Sequence, residues 1–396
     1  MSPSRARSAA RTWFIVGAVT RTAPFLTATD GFAALLRGTA IPFAAFRMSP
    51  EEFLCACTDH DVTSLVDQRL RELEDDWPDD VREAIAERGR ARAAMELVRR
   101  RELNAVLDGL AAEGIRPIVL KGTALAYSLY DHPASRPRFD TDVLIRRNQV
   151  DAVRLVMARS GYSSPAYCDG ELLFGQFPST KTDQFGVAHT FDFHWKISTQ
   201  AIFADVLSFD EISADAIRLP SIGAGAWAAC PVHALLLACV HPVMHHRNVE
   251  SLIWIYDIHL IASRLSEHDL DRFADLAVAR HVSAICAHQL AAARHRFGTA
   301  VSDRVIARLG AVTPPEPSAA YLRTGRRWRD ELVSNVRALP RWGDRVRLLR
   351  EVMLPGPAYM LKAYDLRSSS LSAALLPALY VHRLALGSWK VLAGRK

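Results

Sequence analysis

Residues 118–145 open with Ile118-Val-Leu-Lys-Gly-Thr-Ala-Leu-Ala-Tyr127 and close with Arg136-Pro-Arg-Phe-Asp-Thr-Asp-Val-Leu-Ile145. The first half reads as a short apolar strand running into a Gly-Thr turn, followed by a helix-length segment over Thr123–Tyr130. The second reads as another strand, Phe139 to Ile145, carrying two acids. Alternate residues of a strand share a face, so Asp140 and Asp142 point together while Thr141 points away. Two carboxylates aimed at one spot are a geometry that holds a metal ion.

Further along, Leu172–Phe177 and Val187–Ile197 are extended stretches separated by turn-prone residues 181–186, the pattern of an antiparallel pair. In the later stretch Phe191, Phe193 and Trp195 fall on one face, and Thr190, Asp192 and His194 on the other. Asp192 thus adds an acid on the polar face of a third strand. An isolated Asp-x-Asp is usually just a solvated strand end. Three acids on one sheet face repel one another, and a fold keeps them together only where positive charge sits among them. Phosphoryl and nucleotidyl transfer need such a clamp for divalent cations. Lys121-Gly122-Thr123 fits the same chemistry: glycine lets backbone approach a phosphate, the following helix offers its N–H groups, and Lys121 adds a point charge. Arg136 either binds a departing pyrophosphate or pairs with Asp131.

The flanking segments are helical. Apolar spacing at Leu65, Val66 and Leu70, and again from Met95 to Leu110, gives helices before the first strand, with Gly114 as a stop. Beyond about residue 215 the helical patterns are Val232–His245, Ser251–Leu265, Asp269–Ala279 and Val282–Phe297, the last stopped by Gly298. The first fifty residues carry little periodic signal. The expected organisation is a mostly helical region over 1–94, an α/β (α+β) core with a mixed sheet over 95–215, and a helical domain over 216–396. His241 and His245 share one helical face, and with Asp257 they offer a zinc-like set, although packing histidines are the commoner case. Asp257, on a helix facing the sheet, is the expected general base.

Formal charge is +6 over 396 residues. It is unevenly placed: from Tyr321 to Lys396 there are fifteen Lys/Arg against five Asp/Glu, a net +10 that leaves −4 for the rest. A basic tail suits phosphate-bearing ligands, and nucleic acid is one reading of it. The six cysteines form no Cys-x-x-Cys pair, which points to free thiols in a reducing, cytoplasmic setting. The apolar runs Trp13–Val19 and Leu371–Trp389 are respectively too short and too interrupted to span a bilayer.

Gly122-Thr123, then Asp140 and Asp142 on the next strand, then Asp192 on a later one, resemble the nucleotidyltransferase superfamily typified by DNA polymerase β. More narrowly, Leu120-Lys-Gly-Thr-Ala-Leu125, Tyr130, Arg136-Pro137, Phe139-Asp-Thr-Asp-Val-Leu-Ile145, Gly161-Tyr162 and Phe191-Asp-Phe-His-Trp195 resemble a bacterial family of uncharacterised nucleotidyltransferases. Cys239-Val-His241, Trp254-Ile-Tyr-Asp257 and Pro357-Ala-Tyr-Met360 also fit, so the likeness runs from roughly residue 95 onward. It implies Asp140 and Asp142 as ligands of Mg²⁺ or Mn²⁺, Asp192 as the third carboxylate, and Gly122 and Thr123 as triphosphate contacts. Two departures stand out: the gap between turn and acids is long, and Phe139 replaces a small residue before Asp140. The expectation is an enzyme that passes NMP from an NTP to a hydroxyl or phosphate on a small molecule or peptide-like natural product. The alternatives are a non-catalytic nucleotide-binding interaction protein and a basic nucleic-acid-binding protein.

Overall fold

The computed structural model describes residues 27–73, 77–164, 175–223, 225–323, 326, 328–366 and 370–392. It begins with short helices α1 (Ala28–Leu36), α2 (Pro50–Asp59) and α3 (Thr63–Glu72), then the long α4 (Asp79–Ala112). Ser49 caps α2 through a reciprocal pair with Glu52, the arrangement that satisfies the orphan N–H groups of a first turn.

The core follows as β1 (Ile118–Val119), α5 (Lys121–Ser128), β2 (Thr141–Leu144), α6 (Val150–Arg159), β3 (Gln176–Thr182) and β4 (Ala188–His194). After the short helices α7 (Ala201–Ala204) and α8 (Phe209–Ala214) come β5 (Ile217–Arg218) and β6 (Trp227–Ala228). The six strands form one sheet in the order β3-β4-β2-β1-β6-β5. The β2/β4 and β1/β6 pairs are parallel and the others antiparallel, the mixed sheet expected of an α+β core with helical flanks.

Two boundaries differ from the expectation. The core sheet takes β5 and β6 from beyond residue 215, because strands of two residues carry no readable period. The helix α4 runs unbroken through the boundary at 94/95. The first half of the extended stretch expected at 172–177 falls outside the described residues, and β3 occupies 176–182, running into the expected turn. The turn closes at Asp183, whose Oδ1 accepts from the N–H groups of Phe185 and Val187, each at 2.9 Å.

Beyond the sheet lie α9 (Pro231–His245), α10 (Leu252–Ala262), α11 (Glu267–Ala279), α12 (Ser283–Phe297) and α13 (Asp303–Gly310), close to the expected helices. Gly298 ends α12 in the left-handed region at φ +66°. The tail forms α14 (Trp328–Ala338), α15 (Trp342–Met353), α16 (Pro357–Ala363) and α17 (Ser370–Leu392). Among the described residues, no helix is long and apolar enough to cross a membrane.

Each sheet face meets its own core. Val119, Val143, Phe191 and Phe193 pack with residues of α4 and α6 such as Leu107 and Met157. Ile118, Leu120 and Leu144 point the other way, into a larger core built with α9, α10, α12 and the N-terminal helices. The first fifty residues, silent in the sequence, place Phe32, Leu35 and Phe46 in that larger core. Asp142 and Asp192 share the parity of Leu144 and His194, so the acids face the helical layer.

Candidate active site

The register of β2 against β4 sets Asp142 directly opposite Asp192. The ligand atoms of Asp142, Asp192 and His194 all lie within 4.8 Å of one another. Lys121 Nζ donates to Asp142 Oδ1 at 2.7 Å, and His194 Nε2 contacts the same oxygen at 2.7 Å. Lys121 reaches it from the first residue of α5, where its φ is +50°, a left-handed conformation seldom adopted by a side-chain-bearing residue and typical of functional turns.

The charges are unbalanced. Burial alone would raise the Asp142 carboxyl, but Lys121 and His194 outweigh it and hold it well below the usual carboxylate range. Asp140 goes the other way: surrounding protein atoms, then the charges of Asp142 and Asp192, push it up to about 6 although its side chain is open to solvent at the rim. Asp192 is also raised, by burial and by Asp142, against the pull of His194 and Lys121. One ammonium is therefore set among three carboxylates. The donors are mostly hard oxygens, which fit Mg²⁺ or Mn²⁺, and His194 beside them suits Mn²⁺ in particular.

Gly122 and Thr123 follow Lys121 at the start of α5, where first-turn N–H groups have no helical partner. The Thr123 hydroxyl itself is buried and donates to the Asp140 carbonyl at 3.4 Å, so what this residue offers a phosphate is its N–H. Phe139 turns outward, 76 % exposed, and does not crowd the acids.

Arg136 and Asp257 are where the structure departs most from expectation. Arg136 pairs with Asp257 rather than Asp131: its Nε and Nη2 donate to Asp257 at 2.8–3.0 Å in a buried setting, and its Nη1 to the part-buried Pro137 carbonyl. Tyr130 donates to Asp257 Oδ1 at 2.6 Å. Both carboxylate oxygens of Asp257 are thus engaged by Arg136 and Tyr130, so it does not stand free as the expected base would. Arg136 also explains Gly122, since a Cβ there would sit 3.2 Å from Arg136 Nη1.

Sequence reasoning missed a matching clamp on the other side of the same loop. Arg138 makes a buried two-pronged pair with Glu96 of α4, at 2.9 and 3.2 Å, and donates to Thr141 Oγ1 at 2.7 Å. Tyr127 donates to Glu96 Oε1 at 2.6 Å. The sequence carried no signal for it, because residues two apart on an extended chain would be expected to share a side, whereas Arg136 reaches α10 and Arg138 reaches α4.

The histidines of α9 do not meet Asp257 as a metal set. His241 stacks edge-on to Trp254 at 5.4 Å, and His246 lies 4.3 Å from the same ring, centroid to centroid. Burial, with Lys121 next, lowers all three, His245 to about 3, so they stay neutral imidazoles beside the lysine and acids. A cavity of about 200 Å³ adjoins Lys121 and Gly122 and runs between α5, α9 and α10.

No curated protein matches this chain. The sequence pattern of a family described as "uncharacterised nucleotidyltransferase" matches residues 47–298, which takes in the N-terminal helices from α2, the whole sheet and α9 to α12. The match begins well before residue 95 and leaves out the Pro357-Ala-Tyr-Met360 stretch. With Asp142 and Asp192 face to face beside His194, a Lys-Gly-Thr helix start and a pattern match over more than half its length, the chain belongs to this uncharacterised nucleotidyltransferase family and is a transferase of that kind.

Proposed function

We propose that the protein carries a polymerase β-type core that passes NMP from an NTP to a hydroxyl or phosphate of a small-molecule or peptide-like acceptor. The observation that carries this reading is the charge imbalance of the site: three carboxylates against the single ammonium of Lys121. Asp140, Asp142 and Asp192 would hold Mg²⁺ or Mn²⁺, which when bound neutralises charge on the phosphates.

The chain's own groups then have distinct tasks. The N–H groups of Gly122 and Thr123 receive phosphate oxygens at the start of α5, and Lys121 stands between them and Asp142. His194 orients Asp142. Asp192, whose raised carboxyl retains affinity for a proton, is the group placed to accept the hydroxyl proton of the acceptor. Arg136, Asp257, Arg138 and Glu96 keep the Asp-bearing loop in place.

The test is a screen of labelled NTPs with Mg²⁺ or Mn²⁺ against a metabolite extract, run beside Asp142→Asn. Wild type is expected to label at least one acceptor, and the variant to label it roughly 10²- to 10³-fold more slowly or not at all. Equal labelling by both, or none by either, would overturn the reading.

A further inference from the structure

The cavity between α5, α9 and α10 has a wall of unusual evenness. From α9 it takes Pro231, Ala234, Ala238 and His241, spaced three, four and three residues apart, which is one helical face. From α10 and its end come Trp254, Asp257, Ile261 and Arg264 with the same spacing. Ala234 and Ala238 leave open the space that larger residues at this interface would fill.

The charged residues in this wall are already engaged within the protein. Arg136 and Asp257 bind each other, with Tyr130 and Pro137 completing the set. Arg264 donates to the Ser128 and Leu129 carbonyls at 3.1 and 2.6 Å. Lys121 is held on Asp142, and the Ser128 hydroxyl donates to Ala124 O. The rest of the lining is largely aliphatic, including Val119, Leu125, Leu129 and Leu237. Over most of this wall a phosphate, carboxylate or sugar would lose its hydration to aliphatic carbon, and the one buried side-chain atom of the lining left unpaired among the described residues, His241 Nδ1, sits at the Lys121 end.

Position completes the argument. The acids stand on β2 and β4, whereas the cavity opens beside the ends of β1 and β6, with Lys121 and His241 between the two. A molecule filling it would have one end at the reacting centre and its body in the apolar wall. A cavity of about 150 Å³ accommodates benzene, so one of about 200 Å³ takes roughly eight carbons.

We propose that this cavity is the acceptor subsite and that the acceptor is an uncharged, lipophilic alcohol or phenol, its apolar body between α5, α9 and α10 and its hydroxyl at the Lys121–His241 end. The proposal rests on the transferase reading for the word acceptor, and on the cavity alone for the ligand class.

The experiment titrates the full-length protein calorimetrically with 1-butanol, 1-hexanol, 1-octanol and octanoate, each with and without ATP. Affinity is expected to rise roughly three- to fourfold per added methylene up to octanol, and octanoate to bind at least roughly tenfold more weakly than octanol. Ala238→Phe is expected to abolish octanol binding while ATP binding and melting temperature are kept; Ala234→Leu, a milder filling, is expected to weaken it at least several-fold. The ligand class is overturned if affinity ignores chain length, if octanoate binds as well as octanol, or if neither filling variant that still binds ATP affects octanol. Competition between ATP and octanol would overturn the acceptor assignment by giving the cavity to the nucleobase. Failure of the transferase reading looks different: octanol binds as expected, yet no labelled nucleotide is transferred in the screen with Asp142→Asn.

Discussion

Asp142 carries on one oxygen two contacts, Lys121 Nζ and His194 Nε2, each at 2.7 Å. Removing His194 releases that carboxylate from its hydrogen bond. His194→Ala is expected to weaken Mn²⁺ binding roughly 10- to 100-fold, as loss of a ligand-orienting partner commonly does, measured by electron paramagnetic resonance titration. Asp140 gives the site a pH signature. Its carboxyl is raised from 3.8 to about 6, so the folded chain holds a proton there that the unfolded chain has already shed. The stability this contributes is present below about pH 4 and is lost as pH rises through 6. Asp142 acts in the opposite sense: lowered in the fold, it contributes stability above 3.8 that disappears as pH falls further. Metal must displace the Asp140 proton below pH 6, so Mn²⁺ affinity is expected to fall steadily from pH 7 to 5; a flat profile would contradict the placement of Asp140 in the site. The facing of Asp142 and Asp192 was legible from the two-residue period of strands, whereas Asp140 lies just before β2. The part played by His194 was not, because its position on the polar face says nothing about which carboxylate it reaches.

At the level of elements, the loop that delivers the acids is held from both sides, by Arg136 on Asp257 of α10 and by Arg138 on Glu96 of α4. Both pairs are buried, and removing one partner strands a charge. Asp257→Ala or Glu96→Ala is therefore expected to cost about 3–5 kcal/mol, read by denaturant unfolding. For Asp257 this separates two roles: a general base would show normal stability and a lost rate, a clamp residue a lost stability. These pairs were illegible in the sequence for a plain reason. Arg136 and Asp257 are 121 residues apart, and charge arguments from sequence reach only to neighbours such as Asp131. The helices, by contrast, were legible because α9, α10, α11 and α12 each bury a periodic apolar face. Strands β5 and β6 are paired chain rather than patterned chain, and their two residues apiece gave nothing to read.

Across the whole molecule, two cores meet at the sheet, and Tyr321 fastens the start of the tail to the larger one. Its ring packs edge-on against Phe203 at 4.9 Å, with Arg326 at 3.6 Å over its face. Among the described residues, the buried hydroxyl has no hydrogen-bond partner. Tyr321→Phe is accordingly expected to be neutral or to stabilise by up to about 1 kcal/mol, measured by chemical denaturation, whereas a cost above that would mean the hydroxyl is satisfied. The basic tail beyond it lies outside the family match, which ends at residue 298, so the fold of the catalytic body and the charge of the tail are separate matters.

The facing of Asp142 and Asp192 has a final consequence for how this sheet folds. The same alternation that aims the acids at the helical layer buries Phe191 and Phe193 on the other face. If β4 slipped by one residue against β2, a phenylalanine would enter the charged site and an aspartate the aromatic core, and neither could stay there. A slip of two keeps the faces but sets Thr190 or His194 opposite Asp142 and moves Asp192 about 6–7 Å away. The acids and aromatics thus proofread one another: a molecule that turns over has already registered its strands correctly, and specific activity is a direct assay of folding fidelity.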